Sequence, residues 1–269
     1  MAGRYPERIV CLTEETTETL YLLGEERRIV GISGYTVRPP RARREKPRVS
    51  AFLSAKTDRI LELKPDLVLG FSDLQADISK DLVKAGLNVV IFNQRSVDEI
   101  LQMILIVGGL VGRTDRAQAL VDGFRGSLEA IRARASRWTH RPRVYFEEWD
   151  DPLISGIRWV EELVEIAGGT PIFPELRDAR LAKARIVASE DVVRRNPDVI
   201  VASWCGKRVN RVRIAAREGW TAIAAVRNGE IHEIKSSLIL QPGPAALTDG
   251  VAQLHDVIAK VAAPGRDRS

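Results

Sequence analysis

The sequence predicts an α/β protein of two similar lobes, each built on a parallel sheet, joined by one long helix with a ligand cleft between the lobes. Three observations predict it. Apolar runs of strand length alternate with helical-period segments along most of the 269 residues. One helix–strand unit occurs twice, Thr57-Asp58-Arg59-Ile60-Leu61 followed by Lys64-Pro65-Asp66-Leu67-Val68-Leu69 returning as Ser189-Glu190-Asp191-Val192-Val193 followed by Asn196-Pro197-Asp198-Val199-Ile200-Val201, at an offset of 132. Between the copies, residues 114–137 carry one helical pattern with no Gly/Ser/Pro-rich linker.

The first lobe takes its strands from Ile9–Leu12, Ile29–Ile32, Leu67–Gly70 and Val89–Phe92. Helices are expected at Thr17–Leu23 before Gly24, Asp58–Leu63 before Pro65, and Asp77–Ala85 before Gly86, each ended by its stop residue. Ser96 and Glu99 have capping-box spacing for a further helix. In each copy of the repeat a hydroxyl residue, Thr57 or Ser189, reads as the helix cap, and proline ends the helix before a buried strand.

From Asp115 to about Arg137, Leu120, Phe124, Leu128 and Ile131 fall on one apolar stripe. A helix of that length spans about 34 Å, enough to connect two lobes. The chain then restarts, Arg141-Pro142-Arg143-Val144-Tyr145 matching Pro6-Glu7-Arg8-Ile9-Val10. The expected organisation is therefore a lobe over 1–113, a connecting helix over 114–138 and a second lobe over 139–269. A period this long means duplicated domains rather than a solenoid.

Composition narrows the function classes. Hydrophobic residues make up 45% and charged residues 29%, as in an ordinary packed domain. The net charge of +5 comes from 41 basic and 36 acidic residues that are intermixed. The densest basic stretch, Arg38 to Arg48, is broken by prolines, has no aromatic residue to stack a base, and reads as a solvated loop, so no nucleic-acid partner is expected. Cys11 lies in an apolar run and reads as core; neither it nor Cys205 has metal-site or redox spacing. No stretch approaches the roughly 18 apolar residues of a membrane helix, and Met1 to Glu7 leads into no signal-peptide core. As written the chain reads as cytoplasmic, or as periplasmic where an export signal has been removed.

Ligands of open parallel sheets bind beyond the carboxyl ends of the strands. Those positions hold Thr13-Glu14-Glu15-Thr16-Thr17, Gly34-Tyr35, Phe71-Ser72-Asp73, Glu147-Glu148-Trp149-Asp150-Asp151 and Ser203-Trp204-Cys205-Gly206. Aromatic faces with a few charged groups suit a small-molecule pocket. The acidic run Glu147–Asp151 suits a cation, a metal complex or a sugar; equally, such carboxylates cap a following helix. It lacks metal-ligand spacing, and no metal is assigned.

Phosphate-loop, dinucleotide, nucleophile-elbow and zinc-protease motifs are all missing. The three histidines, His140, His232 and His255, lie in a linker, a strand and a helix. No catalytic residue is assigned, and the chain reads as a binder that needs no cofactor. The rival readings are a chelatase-like cofactor-handling enzyme, which would use the acidic run in catalysis, and a cytoplasmic ligand sensor.

Taken together, Pro6-Glu7-Arg8-Ile9-Val10 with Thr16-Thr17-Glu18, Val30-Gly31-Ile32-Ser33-Gly34-Tyr35, Val49-Ser50-Ala51-Phe52, Ile60-Leu61-Glu62-Leu63-Lys64-Pro65-Asp66-Leu67-Val68, Gly168-Gly169 before Phe173, and Ser189-Glu190 before Asn196-Pro197-Asp198 carry a resemblance over almost the whole chain. It resembles the binding proteins that capture vitamin B12, haem or ferric siderophores for ABC transporters. The resemblance implies two Rossmann-like lobes on a helical backbone and a bound corrinoid, haem or ferric chelate as ligand rather than cofactor. It implies an ABC permease as partner and no membrane insertion. Glu14, Glu15, Tyr35, Phe52, Glu148, Trp149, Asp150, Trp204 and Lys235 are the ligand-binding candidates. Asp77 and Glu190 fall where such proteins dock on their permease.

Overall fold

A computed structural model describes residues 5–51 and 54–262. The chain divides into two compact units. One runs to Gln94 and takes in Asp98–Gly123 and Pro242–Ala245; the other comprises Arg95–Val97, Phe124–Gln241 and the chain from Ala246. The boundary thus falls inside the long helix Thr114–Ala135 rather than at either of its ends, and a short segment after the second sheet belongs to the first unit.

The first unit holds strands β1 (Ile9–Cys11), β2 (Ile29–Ser33), β3 (Arg48–Ser50), β4 (Leu67–Phe71) and β5 (Val89–Phe92). All pair in parallel in the order β3-β2-β1-β4-β5. In β1 and β4 every residue is buried, which is why they read as unbroken apolar runs. Strand β3, only three residues long, was not among the expected strands. The basic stretch Arg38–Arg48 is not a plain loop: it holds the short helix Ala42–Glu45, with Arg41 on Glu26 and over the Tyr21 ring, and the Tyr21 hydroxyl donating to Glu45.

The second unit holds β6 (Arg143–Asp150), β7 (Leu153–Ser155), β8 (Thr170–Pro171), β9 (Val199–Ala202) and β10 (Ile231–Glu233). The order is β10-β9-β6-β7, with β8 also on β6, and every pairing is parallel except β6 with β7. Glu147–Asp150 are therefore the second half of a long strand that turns back as a hairpin at Asp151; no helix starts there for these carboxylates to cap. Tyr145, Phe173 and Trp220 pack edge to face in the core of this unit.

The repeat is visible in the backbone. Strands β4 and β9 begin 132 residues apart, and the residues ending the preceding helices, Lys64 and Asn196, both have left-handed backbones at φ 45° and 43°. The following aspartates each hold the incoming first strand. Asp66 accepts the N–H groups of Glu7 and Arg8, and Asp198 accepts that of Arg143. Arg8 and Arg143 return the contact by donating to the carbonyls of Leu63 and Arg195, again 132 apart.

The hydroxyl caps are corrected. Lys56 and Ala188 stand at the two N-cap positions without side-chain hydrogen bonds, and Ser189 Oγ instead accepts the Trp220 indole N–H at 2.7 Å. The buried stripe of the long helix is Ala117, Val121, Phe124, Leu128, Ile131 and Ala135, so Val121 replaces Leu120 in the expected series.

Candidate functional site

Each sheet has a switch point, where successive connections leave for opposite edges and loops open a crevice at the carboxyl ends. In the first unit this is the β1/β4 pair, since β2 lies on one side of β1 and β4 on the other. Helix Glu14–Leu22 starts directly after β1 and places Glu14, Glu15 and Glu18 there, all buried. Arg38 Nε donates to Glu18 Oε1 at 2.8 Å, and the Ala245 N–H donates to Glu18 Oε2 at 3.0 Å. Thr13 Oγ1 donates to Glu15 Oε1 at 2.5 Å. Gly243 packs on Glu15 so closely that a Cβ would come within 3.0 Å of the Glu15 Cα.

Glu14 Oε2 and Glu15 Oε2 are buried without a hydrogen-bond partner among the described residues. Burial, helped by the neighbouring carboxylates of Glu15 and Glu18, pushes Glu14 up to about 8. Burial pushes Glu15 up to about 7 against the Thr13 hydrogen bond that favours its charged form. Near neutral pH Glu14 keeps its proton for the most part while Glu15 is in mid-titration, and a protonated carboxyl donates as well as accepts.

In the second unit the switch point is the β6/β9 pair. Here three acids of the run, Glu147, Glu148 and Asp150, each have a cation of their own. Glu147 is fully buried and takes both Arg217 nitrogens, at 2.5 and 3.0 Å, with the Trp204 indole N–H at 3.1 Å. Arg217 lies over the Trp220 ring at 4.4 Å. Glu148 takes both nitrogens of the buried Arg185, at 2.5 and 2.9 Å. Asp150 takes Lys207 Nζ on both oxygens, at 2.7 and 2.8 Å. That ammonium lies 5.0 Å from the Trp149 ring centre and 4.9 Å from that of Trp204. These three carboxylates are thus charge-compensated rather than an open cation trap. Among the described residues no three or more His, Cys, Asp or Glu side chains are arranged to hold a metal ion.

The sequence candidates divide between the units. Glu14, Glu15, Tyr35 and Asp77 lie in the first; Glu148, Trp149, Asp150, Glu190, Trp204 and Lys235 lie in the second; Phe52 lies outside the described residues. Trp149, Asp150 and Trp204 are brought together around one atom, Lys207 Nζ. Tyr35 is 55% exposed, and Lys235 is exposed at the start of the short helix Ser236–Ile239. Asp77 and Glu190 are exposed in the first turns of helices Ala76–Lys84 and Ser189–Arg195. Sequence reasoning missed Arg185, Lys207 and Arg217, which stand 37, 57 and 70 residues from their carboxylates. No local pattern marks them.

The periplasmic binding protein family model matches residues 9–238. The chain belongs to the periplasmic binding protein family. The family is one of solute-binding proteins rather than enzymes, which removes the chelatase-like alternative. The chain is 26% identical to the vitamin B12-binding protein of Vibrio cholerae over 94% of its own length and 90% of that protein's. It is also 26% identical, over 94% of itself and 80% of the relative, to an uncharacterised ABC transporter substrate-binding lipoprotein of Bacillus subtilis. The crystal structure of a periplasmic vitamin B12-binding protein of Vibrio cholerae superposes with a TM-score of 0.75 at 25% identity, covering 95% of this chain and 98% of that one. An iron-binding periplasmic protein of Staphylococcus epidermidis, described as such only as a possibility, shares the fold at a TM-score of 0.82 and 24% identity, covering 95% and 99%. Among the described residues no helix is long and apolar enough to cross a membrane.

Proposed function

We propose that the protein is the solute-binding component of an ABC transporter and captures a corrinoid or a similarly large metal chelate outside the cytoplasmic membrane. The likeness to the vitamin B12-binding protein along nearly the full length of both chains carries this reading. The proposed ligand contacts are Glu14, Glu15, Tyr35 and Phe52 in the first unit and Glu148, Trp149, Asp150, Trp204 and Lys235 in the second. Glu14, mainly protonated near neutral pH, suits a ligand rich in neutral amide or carbonyl groups, to which a carboxyl O–H donates without a second charge. The partly buried Trp149 supplies a flat apolar face, and Trp204, 2% exposed, lies in the core beneath it. Asp77 and Glu190, exposed near helix starts, are the proposed contacts to basic residues of a permease.

Titration of tryptophan emission with cyanocobalamin, haemin and a ferric hydroxamate tests the reading. Saturable quenching by one of them, reduced by Trp149→Ala, is the expected result. Three flat titrations would rule the reading out.

A further inference from the structure

We infer that Trp149, Trp204 and Asp150 form a recognition site for a compact cationic group, a primary ammonium above all, which the chain's own Lys207 fills. Two indole faces and one carboxylate meet at a single ammonium, with both rings about 5 Å away and both Asp150 oxygens within hydrogen-bond distance. The walls are fixed by groups other than the lysine. The Trp204 N–H is held by Glu147, itself gripped by Arg217, and the Trp149 N–H donates to the Asp151 carbonyl at 2.9 Å.

Lys207 is the outermost part of the arrangement. Its side chain is 41% exposed, whereas that of Asp150 is 1% exposed. It comes from the turn after β9, next to Gly206 with φ +69°. A lysine can leave such a position; a buried aspartate cannot be left without a cation. Arg213, the other cation near Asp150 among the described residues, stands at 3.5 Å with a side chain 59% exposed and contacts a single oxygen. A solute bringing its own ammonium therefore displaces Lys207, and a solute without one leaves it in place. This reading concerns one charged subsite and does not depend on the ligand being a corrinoid.

The test uses the full chain with Lys207→Ala, titrated with n-butylammonium chloride and with uncharged n-butanol at constant ionic strength, followed by tryptophan emission. The expected result is saturable binding of butylammonium at least about tenfold tighter than in the wild type, no saturation with butanol, and loss of the response in Lys207→Ala/Asp150→Asn. Equal responses to the two probes, or equal responses of wild type and Lys207→Ala, would overturn the inference. Should Lys207→Ala fail to fold, the wild type gives the answer through reductive methylation mapped by mass spectrometry. Butylammonium should then speed modification of Lys207 relative to the exposed Lys80, and an unchanged ratio overturns the inference. Neither probe is a chelate, so failure here and failure of the transport reading are separate results.

Discussion

Asp198 Oδ2 accepts the backbone N–H of Arg143 at 2.8 Å, as Asp66 Oδ1 accepts that of Arg8 at 2.9 Å. Each aspartate follows a proline and sits at the start of the strand that pairs beside the unit's first strand. The Pro-Asp signal repeated in the sequence is thus a latch: proline stops the helix, and aspartate fixes where the two central strands meet. Asp66→Ala and Asp198→Ala should each lower stability by about 1–2 kcal/mol, and the losses should add, because the two latches share no partner. Urea unfolding midpoints of the single and double variants check this.

The left-handed residues before those prolines give opposite predictions. Lys64→Gly relieves a positive φ and should stabilise by about 0.5–1 kcal/mol. Asn196→Gly relieves the same strain but removes Oδ1, which accepts the Ala224 N–H at 2.7 Å, and should stabilise less or destabilise. Thermal unfolding of the two variants side by side distinguishes them.

Much of this architecture was legible. Four strands of the first unit, their helix stops at Gly24, Pro65 and Gly86, and the duplicated helix–proline–strand unit follow from period and punctuation, because helix ends and fully buried strands are local facts, whereas the aspartate latch spans more than 50 residues and does not. The candidate site was legible only in part. Strand ends named Glu14, Trp149, Asp150 and Trp204, but charge compensation is non-local: nothing near Glu148 announces Arg185, and nothing near Asp150 announces Lys207. The hairpin β6–β7 was missed because residues 147–150 alternate too weakly to read as strand. Likewise, the Pro242–Ala245 segment joins the first unit through contacts such as the Gln94 side-chain amide on the Pro242 carbonyl, which sequence spacing cannot show.

Glu147 is fully buried, and its charge is matched by Arg217. Removing only the cation strands a buried carboxylate, so Arg217→Met should cost about 3–5 kcal/mol, whereas Glu147→Gln/Arg217→Met should recover part of the loss. Denaturant titration of both variants at pH 7 separates pairing from packing.

Stability should fall as pH rises. Burial holds Glu14 near 8 and Glu15 near 7 in the folded chain, above the unfolded carboxyl value of 4.5. Between those values the unfolded state has released protons that the folded state keeps, so each step up in pH favours unfolding, and the trend ends above the folded values. Glu161, buried and raised to about 8, adds to it. The loss across this window should be on the order of a few kcal/mol. Glu14→Gln/Glu15→Gln should flatten the profile from pH 5 to 8 and be the more stable protein at pH 8.5; a wild type that gains stability over that range would contradict the assignment.

The most direct test of solute capture is native mass spectrometry of the folded chain mixed with equimolar cyanocobalamin, haemin and a ferric hydroxamate in competition. One adduct, at one ligand per chain and surviving dilution, is the predicted result. A spectrum showing only the bare chain against all three would contradict it.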